Sequence, residues 1–79
     1  MNIEELRAEL VKISNDAPLN SHSEVADALE ISTESLYKTR IGKTLTIDSP
    51  DNRERIRDMI SVYRGIIKRE LQKLMEYDN

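Results

Sequence analysis

The sequence predicts an all-α fold, a small bundle of short helices completed by a long C-terminal helix, and three observations carry that expectation. Apolar residues recur at three- and four-residue spacing near the start and again over the last third of the chain, which is the period of one buried helical face. Helix-start residues stand ahead of both runs, Asn2 with Glu5 and Ser49 with Pro50, in arrangements that satisfy or dispense with the first amides of a helix. Between them, residues 21–43 read as two short helices around a very tight turn.

The first helix is expected over residues 3 to about 14, with Ile3, Leu6, Leu10 and Ile13 as its apolar stripe and a capping box between Asn2 and Glu5. Asn15, Asp16, Ala17, Pro18, Leu19 and Asn20 break it with turn formers and a proline, and Leu19 is expected to plug the space under the next helix. Residues 43–49 alternate Leu45 and Ile47 with β-branched neighbours, which predicts an extended connection pinned to the core by those two side chains. The last helix should run over about residues 50–77, with Asp51 near its positive end. Its apolar positions are Ile56, Met59, Ile60, Tyr63, Ile66, Ile67, Leu71, Leu74 and Met75, and Ile60, Ile67 and Leu74 fall seven apart. That spacing suits either a coiled-coil seam or an intramolecular face. At 1.5 Å per residue such a helix is about 40 Å long, more than a domain this small can cover by itself.

In the central stretch, Ser21 and Glu24 have the spacing of a second capping box, and Val25, Ala26 and Leu29 form one apolar stripe. After Glu30 and Ile31, Ser32 can cap a second short helix with Leu36 pointing inward, and Gly42 can end it in a left-handed conformation. The small Ala26 lets the two helices cross closely. On these residues the stretch resembles the Cro and phage-repressor (XRE-like) helix-turn-helix family, whose pattern at the turn and at the end of the second helix is matched by Ala26, Leu29, Ile31, Ser32 and Gly42. Glu30 stands where the family usually has glycine, at a cost of roughly 1–2 kcal/mol if the residue is left-handed. Thr39 stands where the family has an apolar residue, and its hydroxyl can bond back to its own helix. The resemblance implies a DNA-binding fold, with His22 at the position where the family often uses Gln to contact a phosphate.

Seventy-nine residues make one domain, and a chain of this size buries only about 60% of its unfolded surface, so association is an expected aid to stability. Aromatics are 4% of the chain, all Tyr, so the core must be aliphatic. The net charge of −3 is segregated: residues 1–30 hold seven acids against Arg7 and Lys12, whereas residues 53–79 hold seven bases against five acids. An acidic first helix can therefore face away from DNA. Glu4 and Glu5 stand where a targeting segment would carry bases, no apolar run reaches the roughly 18 residues of a membrane span, and there is no cysteine, so a soluble, cytoplasmic protein is expected. His22 is the only histidine and no Gly-rich phosphate loop is present. The nucleophile and base pairs of enzymes are thus missing, and neither catalysis nor a cofactor nor a metal is expected.

The candidate DNA-contacting residues are His22, Thr33, Glu34, Ser35, Tyr37, Lys38, Arg40 and Lys43. Lys38, Arg40 and Lys43 are the phosphate anchors, while Thr33, Glu34, Ser35, Tyr37 and Lys38 are placed to read base edges in a major groove. Ile60, Tyr63, Ile67, Leu71 and Leu74 are the candidate homodimer seam. The expected function is sequence-specific binding of double-stranded DNA by a small regulator of phage or mobile-element type, acting by operator occupancy. The alternative is an adaptor or inhibitor that uses the same scaffold to hold a protein partner, with no DNA bound.

Overall fold

The computed structural model describes residues 1–77, and among them every regular element is helical: α1 (Ile3–Asp16), α2 (Ser21–Ala28), α3 (Thr33–Arg40) and α4 (Pro50–Tyr77). No described helix is long and apolar enough to cross a membrane. Helix α1 lies mainly against α4, α2 packs on α4 and on α3, and α3 closes the remaining side against α1. Ile3, Leu6, Leu10, Val25, Ala26, Leu36, Ile56, Met59, Ile60, Tyr63 and Ile66 form one buried cluster, with Ile13, Leu29, Ile31, Leu45 and Val62 packed around it.

The helix starts follow local chemistry. The Asn2 side chain accepts from the Glu5 amide at 2.9 Å while the Glu5 carboxylate accepts from the Asn2 amide at 3.1 Å, a complete capping box. Ser32 Oγ accepts from the Ser35 amide at 3.0 Å ahead of α3, and Ser49 Oγ accepts from the Asn52 amide at 3.2 Å ahead of α4. Helix α2 departs from expectation: its N-cap is Asn20, which makes no side-chain cap bond. Ser21 is instead a buried helical residue whose Oγ donates to the Pro18 carbonyl at 2.6 Å. Glu24 is pulled away from any capping role by Arg69 of α4, whose guanidinium donates to both carboxylate oxygens at 3.0 Å.

Two loop expectations are overturned by the same physics. The Ser21 amide closes a turn on the Pro18 carbonyl at 3.0 Å, so Leu19 and Asn20 are the central residues of that turn and point outward. Leu19 is 95% exposed and plugs nothing. In the connection to α4, Leu45 is partly buried as expected, but its φ is +52° and the backbone is not extended. Alternation then fails, and Ile47 is 72% exposed, with its carbonyl taking the Ser49 amide and the Asn52 side chain.

The candidate seam on α4 is also divided. Ile60 and Tyr63 are buried against α1 and α2 inside one chain and are no part of an outer surface. The same stripe runs on past the end of the bundle, where Ile67 is half-buried and Leu71 and Leu74 are 56% and 64% exposed. The molecule is 47 Å in its longest extent against 25 and 17 Å in the others, consistent with a helix that outruns its cover.

Both motif helices end in the same way. At the end of α2 the Ile31 amide donates to the Ala26 carbonyl (3.0 Å) and the Glu30 amide to Asp27 (3.2 Å); at the end of α3 the Lys43 amide donates to Lys38 (2.8 Å) and the Gly42 amide to Thr39 (3.2 Å). These are paired Schellman motifs, whose pivot residue is left-handed. Gly42 meets that requirement at φ +81°, and Glu30 meets it at φ +58° despite its side chain. Replacing Glu30 by Gly removes the steric penalty while adding unfolded-state entropy, so stability should rise by between zero and about 1 kcal/mol. Replacing Gly42 by Ala should lose about 1–2 kcal/mol, although its new methyl would meet Arg7 only at 3.7 Å. Urea unfolding of both variants checks the pair, and a clear loss on Glu30→Gly would contradict the turn geometry.

Candidate nucleic-acid interface

Helix α3 is eight residues long, and its two faces are set by Leu36 and Thr39, which are buried. Thr39 lives in the core because its hydroxyl donates to the Ser35 carbonyl at 3.0 Å and lies 2.9 Å from the Thr44 hydroxyl. Its polar atom is thereby satisfied where the resemblance led one to expect an apolar side chain. The opposite face presents Thr33, Glu34, Tyr37 and Lys38 together, with Ser35 exposed at one edge. Ser35 Oγ accepts from Ser32 Oγ at 3.0 Å, which ties it to the cap.

The three candidate phosphate anchors fare differently. Lys43, just past the left-handed Gly42, is exposed and makes no ion pair with another described residue. Lys38 forms an i,i+4 pair with Glu34 at 3.1 Å on the helix surface. Arg40 turns back toward α1, where its Nε donates to Ser14 Oγ at 3.0 Å, and that buried hydroxyl in turn donates to the Val11 carbonyl at 2.9 Å. The structure therefore groups Thr33, Glu34, Tyr37 and Lys38 on one face, keeps Lys43 at its end and removes Arg40 from it.

His22 is removed too. It is half-buried, with its Nδ1 2.6 Å from the Tyr63 hydroxyl and its ring edge-on to the phenol at 5.8 Å between centroids. Burial, and secondarily the charge of Arg40, hold the imidazole below its ordinary pKa of 6.5; burial pushes the Tyr63 phenol up, partly opposed by the same Arg40. A neutral imidazole carrying its hydrogen on Nε2 accepts from the phenol, which satisfies the hydroxyl of a fully buried Tyr.

One residue that matters here was not a sequence candidate. Arg7 of α1 donates from Nε to the Thr39 carbonyl at 3.0 Å and from one terminal nitrogen to the Thr44 and Leu45 carbonyls at 3.1 and 2.7 Å. It fixes the end of α3 and the start of the connection in a single grip. Its only sequence signal is a base directly beside the apolar stripe, one residue after Leu6 and three before Leu10. Comparison with protein-family models, with curated proteins and with solved structures returns no match for this chain.

The His22 contact generates a pH dependence. Because the folded chain holds this imidazole below 6.5, the unfolded chain takes up the proton first as pH falls. The stabilisation is thus complete above about pH 7, is lost as pH drops below 6.5, and stops falling once the depressed folded value is passed. Urea midpoints measured between pH 7 and pH 5 should fall in the wild type and fall less in His22→Gln; parallel curves would contradict this role for the imidazole.

Proposed function

We propose that the chain is a cytoplasmic DNA-binding regulator of the phage or mobile-element kind, which places α3 in the major groove of a double-stranded operator and acts by occupying it. The supporting observation is the way α3 is held. Schellman turns close α2 just ahead of it and α3 itself at its end, its inner side is locked by Leu36 and Thr39, and Arg7 grips the carbonyl of Thr39. A rigid helix with a short polar face is what direct readout requires. Thr33, Tyr37 and Glu34 read base edges, Lys38 serves base or phosphate, and Lys43 anchors a phosphate. Arg40 and His22 position the motif from behind.

A second reading rests on a specific observation of its own. With Arg40 turned inward and Lys38 paired to Glu34, the motif offers little free positive charge, and the chain carries −3 overall. This favours an adaptor or inhibitor that holds a protein. Duplexes selected from a random pool, titrated over a salt series, separate the readings. Lys43→Ala should weaken all duplexes alike and reduce the slope of log affinity against log salt by about 0.9. Tyr37→Ala should cost roughly 1–3 kcal/mol on the selected duplex, little on random DNA, and leave the slope unchanged. Absence of any duplex binding at about 50 mM salt, where phosphate contacts are strong, hands the function to the protein-partner reading.

Two copies are proposed to associate through Ile67, Leu71 and Leu74, the part of the stripe that the bundle leaves uncovered. Pairing would bring two motifs to one operator, as a two-fold symmetric site requires. Leu71 is not part of the core, so Leu71→Glu should leave the helical signal unchanged while converting a dimer to a monomer in sedimentation. A wild-type chain that sediments as a monomer at tens of micromolar contradicts the interface.

A further inference from the structure

A groove of about 470 Å³ separates the motif from the first half of α4, a volume within the roughly 300–1,000 Å³ typical of small-molecule sites. Leu29 and Ile31 of the turn, Leu45 of the connection and Met59 of α4 supply its apolar lining. The Thr39 and Thr44 hydroxyls in the same wall are bonded to each other, so the wall presents little unsatisfied polarity. Arg55 and Asp58, one helical turn apart on α4, also line it.

Those two charges are left outside the ion pairs among the described residues, as are Glu54 and Arg57 beside them, but Arg55 and Asp58 alone of these four line the groove. Arg53 pairs with Asp48, Arg64 with Glu9, Arg69 with Glu24 and Lys73 with Glu70. Arg55 and Asp58 make no ion pair with each other or with any other described residue. An unpaired cation and an unpaired anion at one edge of an apolar groove are complementary to a ligand that carries both charges close together on an apolar body.

We infer that this groove is a binding site for a free α-amino acid with a bulky apolar side chain. The ligand carboxylate meets the Arg55 guanidinium, which suits planar two-point recognition. Its ammonium meets the Asp58 carboxylate, and its side chain covers Leu29, Ile31, Leu45 and Met59. Because the walls belong to the turn ahead of α3 and to α4, an occupant braces the motif against the long helix. The site stands whether or not the chain binds DNA.

The test is calorimetric titration of the full chain, without DNA, by L-leucine and L-phenylalanine, and by 4-methylpentanoate and 3-methylbutylamine, which each lack one charge. Amide shifts of Ser35 and Met59 locate the ligand. Saturable binding in the millimolar range or tighter is expected for at least one amino acid, about tenfold weaker for both single-charge analogues and for Arg55→Gln and Asp58→Asn. Both substituted residues are exposed, and circular dichroism verifies that the variants remain folded. No saturable binding of either amino acid overturns the proposal. So does equal binding by the single-charge analogues, or binding unchanged in both variants.

Discussion

A single guanidinium ties the first helix to the end of the third, and much of the geometry around the motif depends on it. Arg7 reaches across more than thirty residues of sequence to the carbonyls of Thr39, Thr44 and Leu45. The last carbonyls of a helix have no partner within it and carry partial negative charge, so a cation placed there is favoured twice, as donor and as charge. Three carbonyls can converge on one side chain only if the chain folds back sharply after α3. The left-handed Gly42 and Leu45 provide that fold, and the extended connection that alternation suggested becomes impossible.

A second polar system runs between the helices instead of around them. Ser14 of α1, His22 of α2, Arg40 of α3 and Tyr63 of α4 meet where the four helices approach one another, through the Arg40 to Ser14 and the His22 to Tyr63 contacts. No buried side-chain nitrogen or oxygen among the described residues lacks a partner. An unpaired buried polar group costs about 1–3 kcal/mol, so such a layer favours one packing of the helices over slipped alternatives that would strand one of its members. The aliphatic contacts of Leu6, Leu10, Ile56 and Met59 have no comparable directionality.

What could be read from the sequence divides along the range of the interactions. The Asn2 and Glu5 box, the Ser32 and Ser49 caps, the left-handed Gly42 and the helix spans all depend on partners within a few residues, and pattern alone identifies them, whereas a left-handed Glu30 is suggested only by the resemblance, as the place of a glycine. The inward Leu36 follows from period in the same way, while the inward place of Thr39 comes from the resemblance and its bond back to the Ser35 carbonyl from local chemistry. Leu19 and Ile47 depart from the expected packing because turns that point side chains outward leave no mark on hydropathy, and Ser21 departs from the expected cap because its buried hydroxyl is taken by the Pro18 carbonyl. Ile60 and Tyr63 share a stripe with Leu71 and Leu74, and only the position where α1 and α2 stop divides that stripe into core and surface. At the site, the outward face of α3 was legible from spacing. The fates of Arg40 and His22, and the role of Arg7, were decided by Ser14, Tyr63 and three distant carbonyls.

These placements make the two inner bases of the motif unequal in any encounter with a polyanion. Lys38 is held by one surface pair to Glu34, and an i,i+4 pair of this kind is worth only about 0.3–0.5 kcal/mol. A phosphate could therefore take the ammonium from Glu34 with little opposition, and the released carboxylate would be left to accept a hydrogen bond, as from a cytosine amino group. Arg40 cannot move so cheaply, because withdrawing it leaves the buried Ser14 hydroxyl without its donor and changes the charge beside His22 and Tyr63. Lys38 is thus the adaptable cation of α3 and Arg40 the fixed one. A motif with so few mobile charges gains little from long-range attraction, and the proposed pairing of two copies would supply through effective concentration what one copy lacks in charge.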